Sequence, residues 1–197
     1  MIVKSKGKAT ITVALTAPKK LETRRVPVYS GYIAINGNNS EKLSVPYAGV
    51  ACSMKSISVA DFDYSPPYLL YYDKYTDFVG YVSQNQLIRI RTMTLVFGFA
   101  LNMPSSIVRL DVLGNGVQIK VAGVNILGSV AGFPLYSAPR NNIFAIREFE
   151  WDGKLSTGAK VPAGSYRLLY RALKIFGDRN NPKDYETWQS PLFKIAY

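Results

Sequence analysis

Val161-Pro-Ala-Gly-Ser-Tyr166-Arg-Leu-Leu-Tyr170-Arg-Ala-Leu-Lys-Ile-Phe-Gly-Asp178 reads as a proline-glycine entry, a long strand and a glycine exit. Tyr166, Leu168, Tyr170 and Ala172 recur at every second position, the period of a strand, and Arg167 and Arg171 fall on the opposite face. The turn Trp151-Asp-Gly-Lys154 lies before this strand. After it, Phe193, Ile195 and Tyr197 alternate with Lys194 and Ala196 to the last residue. This order predicts the closing hairpin of an antiparallel β-sandwich.

The same alternation runs toward the N-terminus, without a convincing amphipathic helix. In residues 10–16, Ile11, Val13 and Leu15 share a face, and in residues 117–121 Val117, Ile119 and Val121 do so opposite Gln118 and Lys120. Turn signals separate the runs. Asn36-Gly-Asn-Asn39 lies between strands predicted over 29–35 and 42–50, Gly114-Asn-Gly116 between 107–113 and 117–121, and Asp152-Gly153 follows a strand over 143–151. Asn-Gly and Asp-Gly supply the positive φ of tight hairpins. Roughly nine to eleven short strands with frequent turns predict an all-β fold, an immunoglobulin-like or fibronectin type III-like sandwich. Residues 61–86 carry Pro66-Pro67 and six tyrosines with Asp63, Asp73 and Asp77 near them, and read as a long irregular insertion loop. No compositional shift marks a linker, so a single domain over residues 1–197 is expected.

Hydrophobic residues make up 48% of the chain and aromatics 13%, enough for a core without metal or disulfide. Cys52, the single cysteine, sits in an apolar run and is expected to be a buried structural thiol. Net charge is +11, and residues 1–25 hold seven of the 24 basic residues against one acid, Glu22. Lysines alternating with apolar residues read as a solvated, aggregation-resistant edge. Such a face would otherwise attract nucleic acid, anionic polysaccharide or anionic lipid, and no nucleic-acid-binding motif accompanies the charge. Met1-Ile-Val-Lys4 lacks the apolar segment of a secretory signal, and the longest apolar run, residues 95–101, is about a third of a membrane span.

The chain contains no histidine. That removes Ser-His-Asp and Cys-His catalysis and most zinc chemistry, so no catalytic residue, cofactor or metal site is expected. Glu148, Glu150 and Asp152 share a strand face that could offer oxygens to calcium. The plainer reading turns them to solvent, with Phe149 and Trp151 inward. Tyr68, Tyr71, Tyr72 and Tyr75 read as a docking or glycan-stacking loop, since tyrosine faces stack while their hydroxyls stay wet. Asn38-Asn39-Ser40 is a glycosylation sequon, usable at Asn38 if the chain is secreted.

Longer segments carry a resemblance. They are Arg25-Val-Pro-Val-Tyr-Ser-Gly-Tyr-Ile-Ala-Ile35, Leu43-Ser-Val-Pro-Tyr-Ala-Gly-Val-Ala51, Phe149-Glu-Trp-Asp-Gly153, Pro162-Ala-Gly-Ser-Tyr166 and Ser190-Pro-Leu-Phe-Lys-Ile195. Together they resemble the fibronectin type III-like domain that follows the catalytic domain in large secreted fungal subtilisin-like serine proteases. The resemblance covers nearly the whole chain except residues 61–86. It implies an extracellular, non-catalytic accessory domain whose partner is a subtilisin-like protease domain, with the catalytic triad carried elsewhere. The alternative is a free-standing adhesion module that binds glycans or a cell surface.

Overall fold

The computed structural model describes residues 7–16, 18, 20–22, 25–37, 40–141 and 145–197. The chain divides into two compact units, residues 1–53 and 54–197, where the sequence drew no boundary. Regular structure is all β, apart from single 3-10 turns such as Met54–Ser56 and Pro182–Asp184.

The first unit is built on one antiparallel hairpin, β1 (Val28–Asn36) with β2 (Lys42–Val50). It matches the predicted strands on either side of the Asn36–Asn39 turn. Residues 10–16, expected to form a strand, join no sheet, and Ile11, Val13 and Leu15 are exposed. Alternation permits a strand but does not supply the neighbour whose ladder it needs. Asn38 lies outside the described residues, as do Lys4, Lys6, Lys19 and Arg24. Lys8, Lys20 and Arg25 are exposed. Cys52 is half-buried and free, so the fully buried thiol expected there is not found.

The second unit is the sandwich. One sheet runs β12 (Arg147–Trp151), β6 (Met93–Phe99), β3 (Tyr68–Asp73), β4 (Val79–Tyr81), antiparallel throughout. The facing sheet is built on β7 (Ser105–Gly114) and β13 (Gly164–Leu173). Beyond β7 lie β10 (Gly128–Ser129) and β11 (Leu135–Ala138), which share its outer edge. Beyond β13 lie β14 (Tyr185–Gln189) and β15 (Phe193–Ala196), which share the other edge. β5 (Gln86–Arg89) then pairs with β15 in parallel. With β3, β6 and β12 in one layer and β7, β13 and β14–β15 in the other, the strand order is that of an immunoglobulin-type sandwich. Residues 61–86, read as an irregular loop, therefore contain β3, β4 and the start of β5. The consecutive prolines Pro66-Pro67 obscured the strand that begins directly after them.

The core lies between the layers. Phe99 packs on Tyr170 at 5.2 Å between ring centroids, Phe97 on Trp188 at 5.9 Å, and Trp151 meets Phe193 edge-on at 6.4 Å. Tyr166, 3% exposed, donates its hydroxyl to the Pro162 carbonyl at 2.8 Å. A tyrosine near the start of this strand, bonded back to the chain just upstream, is the tyrosine corner of such sandwiches.

Two expectations change on the outer face of the larger sheet. Gly114-Asn-Gly116 does not join a hairpin. β8 (Ile119–Val121) pairs instead with β9 (Val124–Ile126). Ala122 and Gly123, both at positive φ, form the two-residue turn between them. Val117 and Ile119 are exposed, so the apolar face predicted for residues 117–121 does not form as a unit. Arg171, placed by its alternation on a solvent face, is 1% exposed. Its Nη1 donates to the carbonyls of Val121 and Ala122, at 3.1 and 3.3 Å, so β8–β9 folds back over that part of the sheet.

Beneath the hairpin, Asp111 receives both guanidiniums. Arg171 Nη2 reaches Oδ2 at 2.7 Å, Arg109 Nη2 reaches Oδ1 at 3.1 Å, and Ser129 Oγ donates to Oδ1 at 2.7 Å. Asp111 is wholly buried. The Arg171 guanidinium also lies 5.3 Å from the Tyr185 ring centroid. A charged side chain is held in the interior only with such pairing.

Candidate functional site

Two surfaces stand out, one on each unit. The first is a face of the β1–β2 hairpin. The register pairs Tyr29 with Gly49, Gly31 with Tyr47, Ile33 with Val45 and Ile35 with Leu43, so all eight residues share one side. Each tyrosine ring lies across the opposite glycine: a Cβ on Gly31 would sit 2.6 Å from Tyr47 Oη, and one on Gly49 would sit 2.6 Å from the Tyr29 ring. The face carries no charge. Leu43 and Val45 on it are 54% and 48% exposed. A two-stranded hairpin is marginal alone and normally has its apolar side covered.

The second is an open groove of about 670 Å³ on the sandwich. It is assembled from three stretches remote in sequence: residues 64–69, residues 81–82 and residues 188–191, together with Ile146 and Arg167. Tyr64 and Tyr81 are 87% and 74% exposed. Asp61 Oδ1 accepts the backbone N–H groups of Asp63 and Tyr64, at 3.2 and 3.0 Å, and so sets the turn that carries Tyr64. Tyr68 meets Tyr81 edge-on at 6.3 Å and donates its hydroxyl to Glu148. Partial burial, then the Glu148 carboxylate, pushes the Tyr68 phenol well above its ordinary range.

The other wall depends on Ser190. Its backbone N–H donates to Leu168 O at 3.0 Å, and its Oγ accepts from Leu168 N at 2.9 Å. Ser190 thus bridges the break between β14 and β15. Arg167 Nη1 donates to the Ser190 carbonyl at 2.9 Å. Arg167 is the one charged residue among those that line the groove.

The sequence-predicted tyrosines divide. Tyr68 lies in the groove with Tyr64, Tyr81 and Trp188. Tyr71 packs on Phe78 at 5.8 Å, Tyr72 donates to Asp77, and Tyr75 is 82% exposed near the β3–β4 turn. All three belong to the β3–β4 hairpin rather than to a free loop. Sequence reasoning missed Trp188, Arg167 and Ser190, for which no local signal existed. Tyr81 was visible only as one member of the tyrosine cluster.

On β12, Glu148 and Glu150 face outward, while Phe149 stacks on Phe99 at 5.9 Å and Trp151 is buried. Asp152 pairs with Lys154 at 2.5 Å, and that contact holds its carboxyl below the usual range. Among the described residues no group of three acidic or sulfur side chains is placed to hold a metal.

Comparison with known proteins bears on the first unit. No similar curated protein was found. Residues 1–48 match the family profile described as an Fn3-like domain, a non-catalytic fold, and that match includes β1 and most of β2.

Proposed function

We propose that the chain is a non-catalytic accessory module of a subtilisin-like serine endopeptidase, acting outside the cell by packing against a protease domain in cis or in trans. The observation that carries this reading is the uncharged apolar face of β1–β2, which, Gly49 apart, lies within the segment that matches an Fn3-like domain. That family is associated with subtilase C-terminal regions. A chain without histidine fits a supporting role, because the triad such proteases use would come from the partner. Covering the face would bury Leu43, Val45 and the two tyrosines, worth roughly 25 cal/mol per Å² of apolar surface removed from water.

The test is addition of the purified chain to a subtilisin-like catalytic domain, followed by thermal inactivation. A ligand of the native protease at about a hundred times its Kd should stabilise it by about 2.7 kcal/mol. Leu43→Glu with Val45→Glu should abolish the gain while leaving the circular dichroism of the chain intact. Casein hydrolysis by the chain alone, blocked by serine-directed reagents, would refute the proposal. So would a protease domain whose inactivation the chain leaves unchanged.

A further inference from the structure

The groove belongs to the second unit, and none of its lining residues lies on the β1–β2 face. We infer that it is a binding site for an acidic oligosaccharide, one whose pyranose rings carry carboxylates. Three features converge on this ligand class.

The first is the exposure of aromatic rings around a concavity. Tyr64 and Tyr81 are among the most exposed large hydrophobic residues of the chain, and both line the groove with Trp188. Aromatic faces in a site of this volume suit a ring with an apolar C–H side and a hydroxylated rim.

The second is Arg167. It is half-buried, no acidic residue lines the groove, and no ion pair joins it to a carboxylate among the described residues. Four residues along the same strand and face, Arg171 is neutralised by Asp111. The two arginines therefore differ in what meets them. One is a buried structural cation, and the other is anchored on a backbone carbonyl with donors to spare. A planar fork of donors selects carboxylate, which it binds bidentately.

The third is the combination. A proline-rich strand would use the rings and leave the guanidinium idle, and a simple inorganic anion would do the reverse. A uronate residue uses both, and Gln189 and Ser65 in the lining add groups for its hydroxyls.

The experiment is a calorimetric titration of the purified chain with an oligogalacturonate and with its methyl ester. The acid form should bind, and raised salt should weaken it. Esterification should cost about ten- to hundredfold in affinity through loss of the charge-assisted pair. Arg167→Gln should reproduce that loss. Tyr81→Ala, at an exposed position that leaves the fold intact, should cost about three- to tenfold. Equal binding of acid and ester, full affinity in both variants, or no binding at millimolar ligand would each overturn the inference. Equal binding of a polyglutamate peptide would overturn the sugar assignment as well. If Arg167→Gln loses its folded signal, Tyr81→Ala decides: weakened binding of the acid form supports the inference, and full affinity overturns it. Protease docking is untouched by any of these results, because its variants lie on the hairpin.

Discussion

Replacing Asp111 by asparagine tests the buried charge cluster most directly. The carboxylate accepts from both nitrogens of each guanidinium fork and from Ser129: Arg109 Nε and Nη2 at 3.2 and 3.1 Å, Arg171 Nε and Nη2 at 3.2 and 2.7 Å, and Ser129 Oγ at 2.7 Å. Asparagine keeps the shape but retains one acceptor oxygen, and it turns an NH₂ toward donors. Arg171, 1% exposed, cannot reach water, whereas Arg109 at 9% has slightly more access. Removing one partner of a buried ion pair costs about 3–5 kcal/mol, and the asymmetry between the arginines places Asp111→Asn in that range rather than above it. Equilibrium urea unfolding should show a lowered midpoint with an unchanged slope. For a chain of this size the same loss lowers Tm by roughly 2–4 °C per kcal/mol, or about 6–20 °C in all. The deficit should persist at high salt, since a buried pair is little screened. A loss under about 1 kcal/mol, or one that salt erases, would refute the claim that Asp111 neutralises both arginines in the interior.

Tyr166→Phe should cost about 1 kcal/mol by urea unfolding, the worth of the Pro162 hydrogen bond, and Tyr166→Ala about 3–5 kcal/mol. Equal costs would mean the ring is not the packed element. Tyr170 has a buried hydroxyl without a hydrogen-bond partner among the described residues, so Tyr170→Phe should stabilise the sandwich by about 1 kcal/mol. Burial holds the Tyr170 phenol far above its ordinary value of 10.0. The unfolded chain therefore releases that proton first as pH rises, and the folded state loses stability progressively above pH 10. Alkaline unfolding of Tyr170→Phe should be less steep than that of the parent, and an identical slope would refute the assignment. Gly98→Ala should destabilise, because a Cβ there would lie 2.2 Å from the Tyr68 ring, and its circular dichroism melt should show the loss. An unchanged melt would mean that Tyr68 does not lie across β6.

Local pattern carried much of the fold. The period of two at Tyr166, Leu168 and Tyr170 placed all three in the core correctly, and the Asn36-Gly37 signal located the β1–β2 hairpin. The same rule failed at Arg171, because a strand covered on both faces loses the alternation of burial on which the rule depends. The covering element, β8–β9, begins some fifty residues earlier, and the neutralising Asp111 is sixty residues away. The groove was illegible for a related reason. Tyr68 was visible within a tyrosine-rich stretch, but Trp188 and Arg167 meet it only once both sheets have formed. At residues 10–16 the failure ran the other way: a good strand pattern found no ladder.

The parallel pairing of β5 with β15 has a mechanical consequence. Phe193 to Ala196 run alongside Gln86 to Arg89 in the same direction. A pull that draws Gln86 backward and Ala196 forward slides the two strands past each other along their length. The hydrogen bonds between them are then loaded together, in shear, instead of opening one after another as in an unzipped hairpin. β15 is thus seated as a latch, and tension drawn along it against β5 must break their shared ladder all at once.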